Sequence, residues 1–118
     1  MALGMNKIST HVLDTMMGKG ATGLVVFLDR REPSGQWLTL GVSRTDQDGR
    51  CNQLLQGDAD LSPGIYRLMF DTAVYFLHKK VVSLYPAIEV TFEVREGESH
   101  FHIPLLLSPN GYTTYRGT

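Results

Sequence analysis

The chain has 118 residues, 42% of them hydrophobic and 19% charged, and a formal net charge of −1. That length predicts a single domain over residues 1–118, able to bury roughly two thirds of its unfolded surface. The balance of charge excludes a basic nucleic-acid or lipid-binding protein, and the single cysteine, Cys51, excludes an intrachain disulfide or a CxxC site.

In chain order, residues 7–13 alternate as a strand. His11 lies with Ser9 and Leu13 on one face, opposite Ile8, Thr10 and Val12. Residues 23–29 are apolar on both faces and read as a central strand. Residues 31–35 (Arg-Glu-Pro-Ser-Gly) form a hairpin-type loop. Leu38, Leu40 and Val42 then mark the inward face of a strand over 36–45. Asp46-Gln-Asp-Gly49 is a turn in which glycine can supply a positive φ. Another turn over 61–64 precedes a strand with Tyr66, Leu68 and Phe70 inward. Residues 71–80 break the pattern: Ala73, Phe76 and Leu77 have helical spacing behind Asp71 or Thr72 as N-cap. Residues 88–94 return to strand alternation.

In residues 100–107, Phe101, Ile103, Leu105 and Leu107 share the core face. His100, His102, Pro104 and Leu106 look the other way. Pro104 cannot donate a ladder hydrogen bond, so the strand is expected to lie at an edge or to bulge there. A turn over 108–111 leads to a terminal segment, 112–118, whose tyrosines and arginine predict an ordered chain end. Many short strands with one short helix predict an all-β, two-sheet sandwich.

Common catalytic signatures are missing: no GxSxG, HExxH, Walker A motif or GxGxxG followed by a helix. Asp58 and Asp60 lie in a polar loop without an EF-hand pattern and read as solvated. His100 and His102 share a strand face at a spacing compatible with a metal, but the third ligand must come from elsewhere. His78 falls in the last helical turn, where it complements the helix dipole. Taken singly, His11, Arg50 and His102 are ordinary surface residues.

Their order along the chain resembles one family, the transthyretin-related 5-hydroxyisourate hydrolases. The resemblance is carried by Ser9-Thr-His-Val-Leu-Asp-Thr15, Asp48-Gly-Arg50, Phe70-Asp-Thr72, His100-Phe-His-Ile-Pro-Leu-Leu-Leu-Ser-Pro109 and Gly111-Tyr-Thr-Thr-Tyr-Arg-Gly-Thr118. The most specific piece is the final tetrapeptide, Tyr115 to Thr118. The resemblance implies a transthyretin-like sandwich of two four-stranded sheets with one short α-helix. It implies a homotetramer, a dimer of dimers, with active sites in a channel between dimers. It further implies hydrolysis of 5-hydroxyisourate to 2-oxo-4-hydroxy-4-carboxy-5-ureidoimidazoline, in urate breakdown, without metal or organic cofactor.

Carried over by motif, the catalytic residues would be His11, Arg50, His102 and Thr118. The substrate-binding residues would be His11, Arg50, Tyr115 and Arg116. Imidazole can take a proton from water near neutral pH and return it to a leaving nitrogen. Arginine can hold a substrate oxygen by a forked, charge-assisted pair of hydrogen bonds. His102 is assigned as base, assisted by His11 and by the Thr118 hydroxyl or carboxylate; the two histidine roles are interchangeable at this level. Two positions depart from the family pattern: Thr118 replaces a terminal serine, and Gly20 a proline in the first loop. Met16 and Met17 read as loop or interface packing.

The alternative is a non-catalytic carrier that binds a small hydrophobic ligand in the tetramer channel. An adhesion sandwich is a weaker rival, with no reason to keep these residues together. The residues at 1–7 lack a signal-peptide core, so the expected location is the cytoplasm.

Overall fold

The computed structural model describes residues 6–56 and 60–118. Asp58 and the first five residues lie outside them, as do the readings made of those positions. Ten strands and one helix follow in chain order: β1 (Lys7–Asp14), β2 (Lys19–Gly20), β3 (Val25–Arg31), β4 (Trp37–Arg44), β5 (Arg50–Cys51), β6 (Gly64–Phe70), α1 (Thr72–His78), β7 (Ile88–Val94), β8 (His100–His102), β9 (Leu105–Ser108) and β10 (Gly111–Thr114).

The two sheets enclose one core. The first is antiparallel, in the order β4-β3-β6-β7. Its inward residues Val26, Leu28, Tyr66, Leu68, Phe70 and Ile88 are all at most 2% exposed. The second has six strands, not four: the path β10-β9-β1-β2, with β5 and β8 each added to β1. The extra members come from two-residue strands and from the division of residues 100–107 into β8 and β9.

Pro104 causes that division. The pairing of β8 with β1 stops at His102 and resumes in β9 at Leu105. Backbone groups around the gap find other partners. Ile103 N donates to Ser9 O, Thr10 Oγ1 donates to Ile103 O, and Thr114 Oγ1 donates to the Pro104 carbonyl. Pro104 is therefore buried rather than outward-facing, and β9 is an interior strand between β1 and β10 rather than an edge.

Two side-chain expectations fail for local reasons. Val42 is 51% exposed and Leu38 46% exposed, so β4 does not present a continuous apolar face inward. A register shift between Leu28 and Asp29 leaves Leu40 unmatched in the ladder, which places Val42 opposite Phe27 on the outward face; Leu38, opposite Arg30, is not explained by the shift. Gly41 takes the inward position opposite Leu28, where a Cβ would collide with the Leu54 carbonyl. In α1, capped by Asp71 as expected, Leu77 points into solvent, and the buried face is Thr72, Tyr75 and Phe76.

Tyr75 ties the helix to β1. Its hydroxyl donates to Asp14 Oδ2 at 2.7 Å, while Asp14 Oδ1 accepts from the backbone N–H groups of Met16 and Met17. Asp14 is fully buried and closes the β1–β2 turn. Burial and the adjacent carboxylate push the Tyr75 hydroxyl far above its ordinary range. Asp14→Ala strands three donors, two of them backbone. It is expected to cost roughly 3 kcal/mol in denaturant unfolding, against about 1 kcal/mol for Tyr75→Phe.

Candidate active site

The outward face of β1 carries Lys7, Ser9 and His11, two residues apart, because Ile8, Thr10 and Val12 face the core. Each edge of β1 presents a different partner to that face. On one edge, β5 pairs antiparallel, setting Arg50 opposite His11. On the other, β8 pairs parallel, setting His102 opposite Ser9 and His100 opposite Lys7.

The turn that delivers Arg50 is built around Asp46. Its Oδ1 accepts from the backbone N–H groups of Asp48 and Arg50, each at 2.9 Å. The Arg50 N–H in particular holds the Asp46 carboxyl below its ordinary value. Gly49, at φ 84°, lies so close to β1 that a Cβ would meet the Val12 carbonyl; Val12 N in turn donates to Gly49 O at 2.7 Å. His11 Nε2 donates to the Asp48 carbonyl at 2.9 Å, which leaves Nδ1 as its other nitrogen.

His102 is half-buried. Its Nδ1 lies 2.8 Å from Ser9 Oγ, and no described residue hydrogen-bonds to its Nε2. Its pKa falls below the ordinary histidine value. Burial is the larger cause, followed by the charges of Arg50, His11 and Lys7. Both causes favour the neutral ring.

Lys7, Ser9, Arg50, Asn52, His100, His102 and Thr118 line an open groove of about 290 Å³. Among the described residues no aspartate or glutamate lines it, so it suits an anionic, hydrogen-bonding guest. Arg50 also borders a second groove, of about 690 Å³, with His11, Lys19 and Asp48. Arg50 thus joins the two halves of the surface. Of the expected site residues, the fold brings together His11, Arg50, His102 and Thr118. Tyr115 and Arg116 do not reach them. They border a separate groove with Val90, Phe92 and Ile103. The Arg116 guanidinium stacks 4.5 Å over Phe101, pairs with Glu98 at 3.1 Å and donates to the His100 carbonyl at 3.2 Å.

Lys7, Ser9 and Asn52 were not anticipated. The same alternation that selects His11 and Arg50 also selects them, one or two steps along each strand. Cys51, beside Arg50, faces the core at 4% exposure, and burial pushes its thiol upward, as befits a packed side chain. Among the described residues, no group of three or more His, Cys, Asp or Glu side chains is placed to hold a metal ion, and no helix is long and apolar enough to cross a membrane.

A depressed histidine pKa makes stability pH-dependent. Below 6.5 the unfolded chain takes up a proton that the folded ring resists, so this contribution is lost as pH falls from 6.5 through the folded midpoint. In an NMR titration, the His102 midpoint is expected below 6.5. Arg50→Gln should raise it without restoring 6.5, because burial remains.

Comparison with known proteins places the chain in a family. The family model described as HIUase/Transthyretin family matches residues 8–117. A mouse protein named 5-hydroxyisourate hydrolase is 46% identical, with all of both chains covered. The solved Klebsiella pneumoniae 5-hydroxyisourate hydrolase superposes with a TM-score of 0.82 at 32% identity, covering 95% of this chain and 99% of that one. Sea bream transthyretin, solved with thyroxine, gives a TM-score of 0.88 at 27% identity, with 95% of each chain covered. The chain belongs to the HIUase/Transthyretin family.

Proposed function

We propose that the protein hydrolyses 5-hydroxyisourate, with His102 as the general base. The observation that carries this reading is the groove in which a half-buried imidazole stands beside a forked cation and two hydroxyl side chains. The names and identities of the mouse and Klebsiella relatives support the same substrate.

In this reading His102 Nε2 takes a proton from water as the water oxygen bonds to a ring carbonyl carbon. The ring carbon–nitrogen bond then breaks, and the proton passes from Nε2 to the leaving nitrogen. The product is the ring-opened acid 2-oxo-4-hydroxy-4-carboxy-5-ureidoimidazoline. Arg50 holds the oxygen on which negative charge develops, where a charge-assisted donor gains most. His11 sits directly across from Arg50 and orients the substrate between the two grooves. The Thr118 hydroxyl helps to hold the water. Tyr115 and Arg116 act through the chain end: the contacts of Arg116 with Glu98, Phe101 and the His100 carbonyl set the path of the tail.

The protein is proposed to work as a homotetramer. β7 and β10 are unpaired sheet edges, and such edges are normally paired or protected. Glu89 and Glu93 lie exposed along β7, as expected for the wet face of an edge strand.

The carrier reading has one observation in its favour, the close superposition on thyroxine-bound transthyretin. The groove lining speaks against it. Lys7, Arg50, Asn52, His100 and His102 are poor company for a hydrophobic guest.

Urate oxidase can supply 5-hydroxyisourate in situ while its ultraviolet absorbance decays. The protein should accelerate that decay. His102→Ala should lower kcat/KM by at least about 100-fold, and Arg50→Lys by about tenfold, since an ammonium cannot fork. Parent-like turnover in His102→Ala would remove the base assignment. No acceleration, together with tight thyroxine binding, would favour the carrier. Sedimentation at micromolar concentration should give a tetramer; a monomer would refute the assembly.

A further inference from the structure

We infer that Ser9 is a positioning residue that holds His102 in a single tautomer, with Nδ1–H donated to the serine oxygen and the Nε2 lone pair left open. This rests on the catalytic reading of His102. Ser9 is 7% exposed, and its Oγ lies 2.8 Å from Nδ1. The two residues are register partners in β1 and β8, and the next backbone bond, Ile103 N to Ser9 O at 2.9 Å, fixes the approach.

The other side of the ring is closed by the chain end. Gly117 N donates to the His102 carbonyl at 2.7 Å, and a Cβ on Gly117 would stand 2.6 Å from His102 Cδ2. The imidazole is thus boxed between a hydroxyl and a residue with no side chain.

The chemistry requires one tautomer. Nε2 can accept a proton only if its lone pair is free, so Nδ1 must carry the hydrogen. Free imidazole side chains in water prefer the opposite tautomer, so Nδ1–H needs an acceptor. A serine oxygen accepts from Nδ1–H in both the neutral and the protonated ring. The hydrogen bond therefore survives the catalytic proton transfer.

Nitrogen-15 NMR of the full chain labelled at histidine tests this, with the His102 signals assigned by their loss in His102→Ala. Above the titration midpoint, the parent should show protonated Nδ1 and bare Nε2. Ser9→Ala should shift the ring toward Nε2–H and lower kcat about tenfold with little change in KM. Ser9→Thr, which keeps the hydroxyl, should restore both. An Nε2–H tautomer in the parent overturns the inference without any variant, as does an unchanged tautomer in Ser9→Ala. Inactive His102→Ala beside fully active Ser9→Ala would refute positioning while sparing the base. Full activity in both would instead refute the catalytic reading.

Discussion

Strand β1 is hydrogen-bonded along both edges, and its register fixes everything on the outer face of its sheet. Antiparallel pairing with β5 puts Arg50 across from His11, and parallel pairing with β8 puts His102 across from Ser9. Because strand side chains alternate with a period of two, a slip of one residue in either ladder would turn the partner away from the groove. The core-facing residues Ile8 and Val12, both fully buried, oppose such a slip. The apolar face of β1 thus secures the register on which the polar face depends. Asp14, bound to the Tyr75 hydroxyl and two backbone amides, anchors the far end of the same strand.

The electrostatics follow from that placement. Lys7, Arg50 and His11 act on His102 from β1 and β5, while Asp46 and Glu98 are engaged elsewhere. Asp46 accepts backbone N–H groups, and Glu98 pairs with Arg116. Partial burial together with positive charge favours the neutral His102 ring, the form that can accept a proton. The same cations favour an anionic guest. One arrangement of charge therefore serves both binding and proton abstraction. On the same scaffold, an apolar lining would serve a hydrophobic guest instead, so function here is decided by the side chains on one sheet face.

Pro104 links the fold to this surface. It interrupts pairing to β1 between His102 and Leu105 and leaves β8 only three residues long; the His102 carbonyl points away from β1, because the backbone N–H of its neighbour Ile103 bonds to Ser9 on that side. The chain end meets that carbonyl through Gly117 N. That bond brings Thr118 into the groove. The tail is held further by Arg116, whose contacts with Phe101, Glu98 and the His100 carbonyl are structural in character.

Much of this was legible in the chain itself. Alternation of period two marks β1, β6 and β7 and the outward direction of His11 and His102, and an apolar run on both faces marks β3 as a central strand. The Asp71 cap and the single short helix were also visible. These features are local, and each residue's preference agreed with its final environment. The exceptions have physical causes that no local window contains. Val42 was misread as inward because a bulge at Leu40 places it on the outward face, opposite Phe27, and that bulge is a property of the β3–β4 pairing. Leu77 was assigned to the buried face of α1, whereas the hydroxyl of Tyr75 reaching Asp14 sets how the helix sits. For the site, the sequence determined which residue types lay on which strand face. Only the tertiary structure decided that Ser9, His102 and Gly117 meet, and that Tyr115 and Arg116 border another groove. Ser9 and His102 stand 93 positions apart, and the geometry of these contacts comes from the register between strands rather than from any single segment.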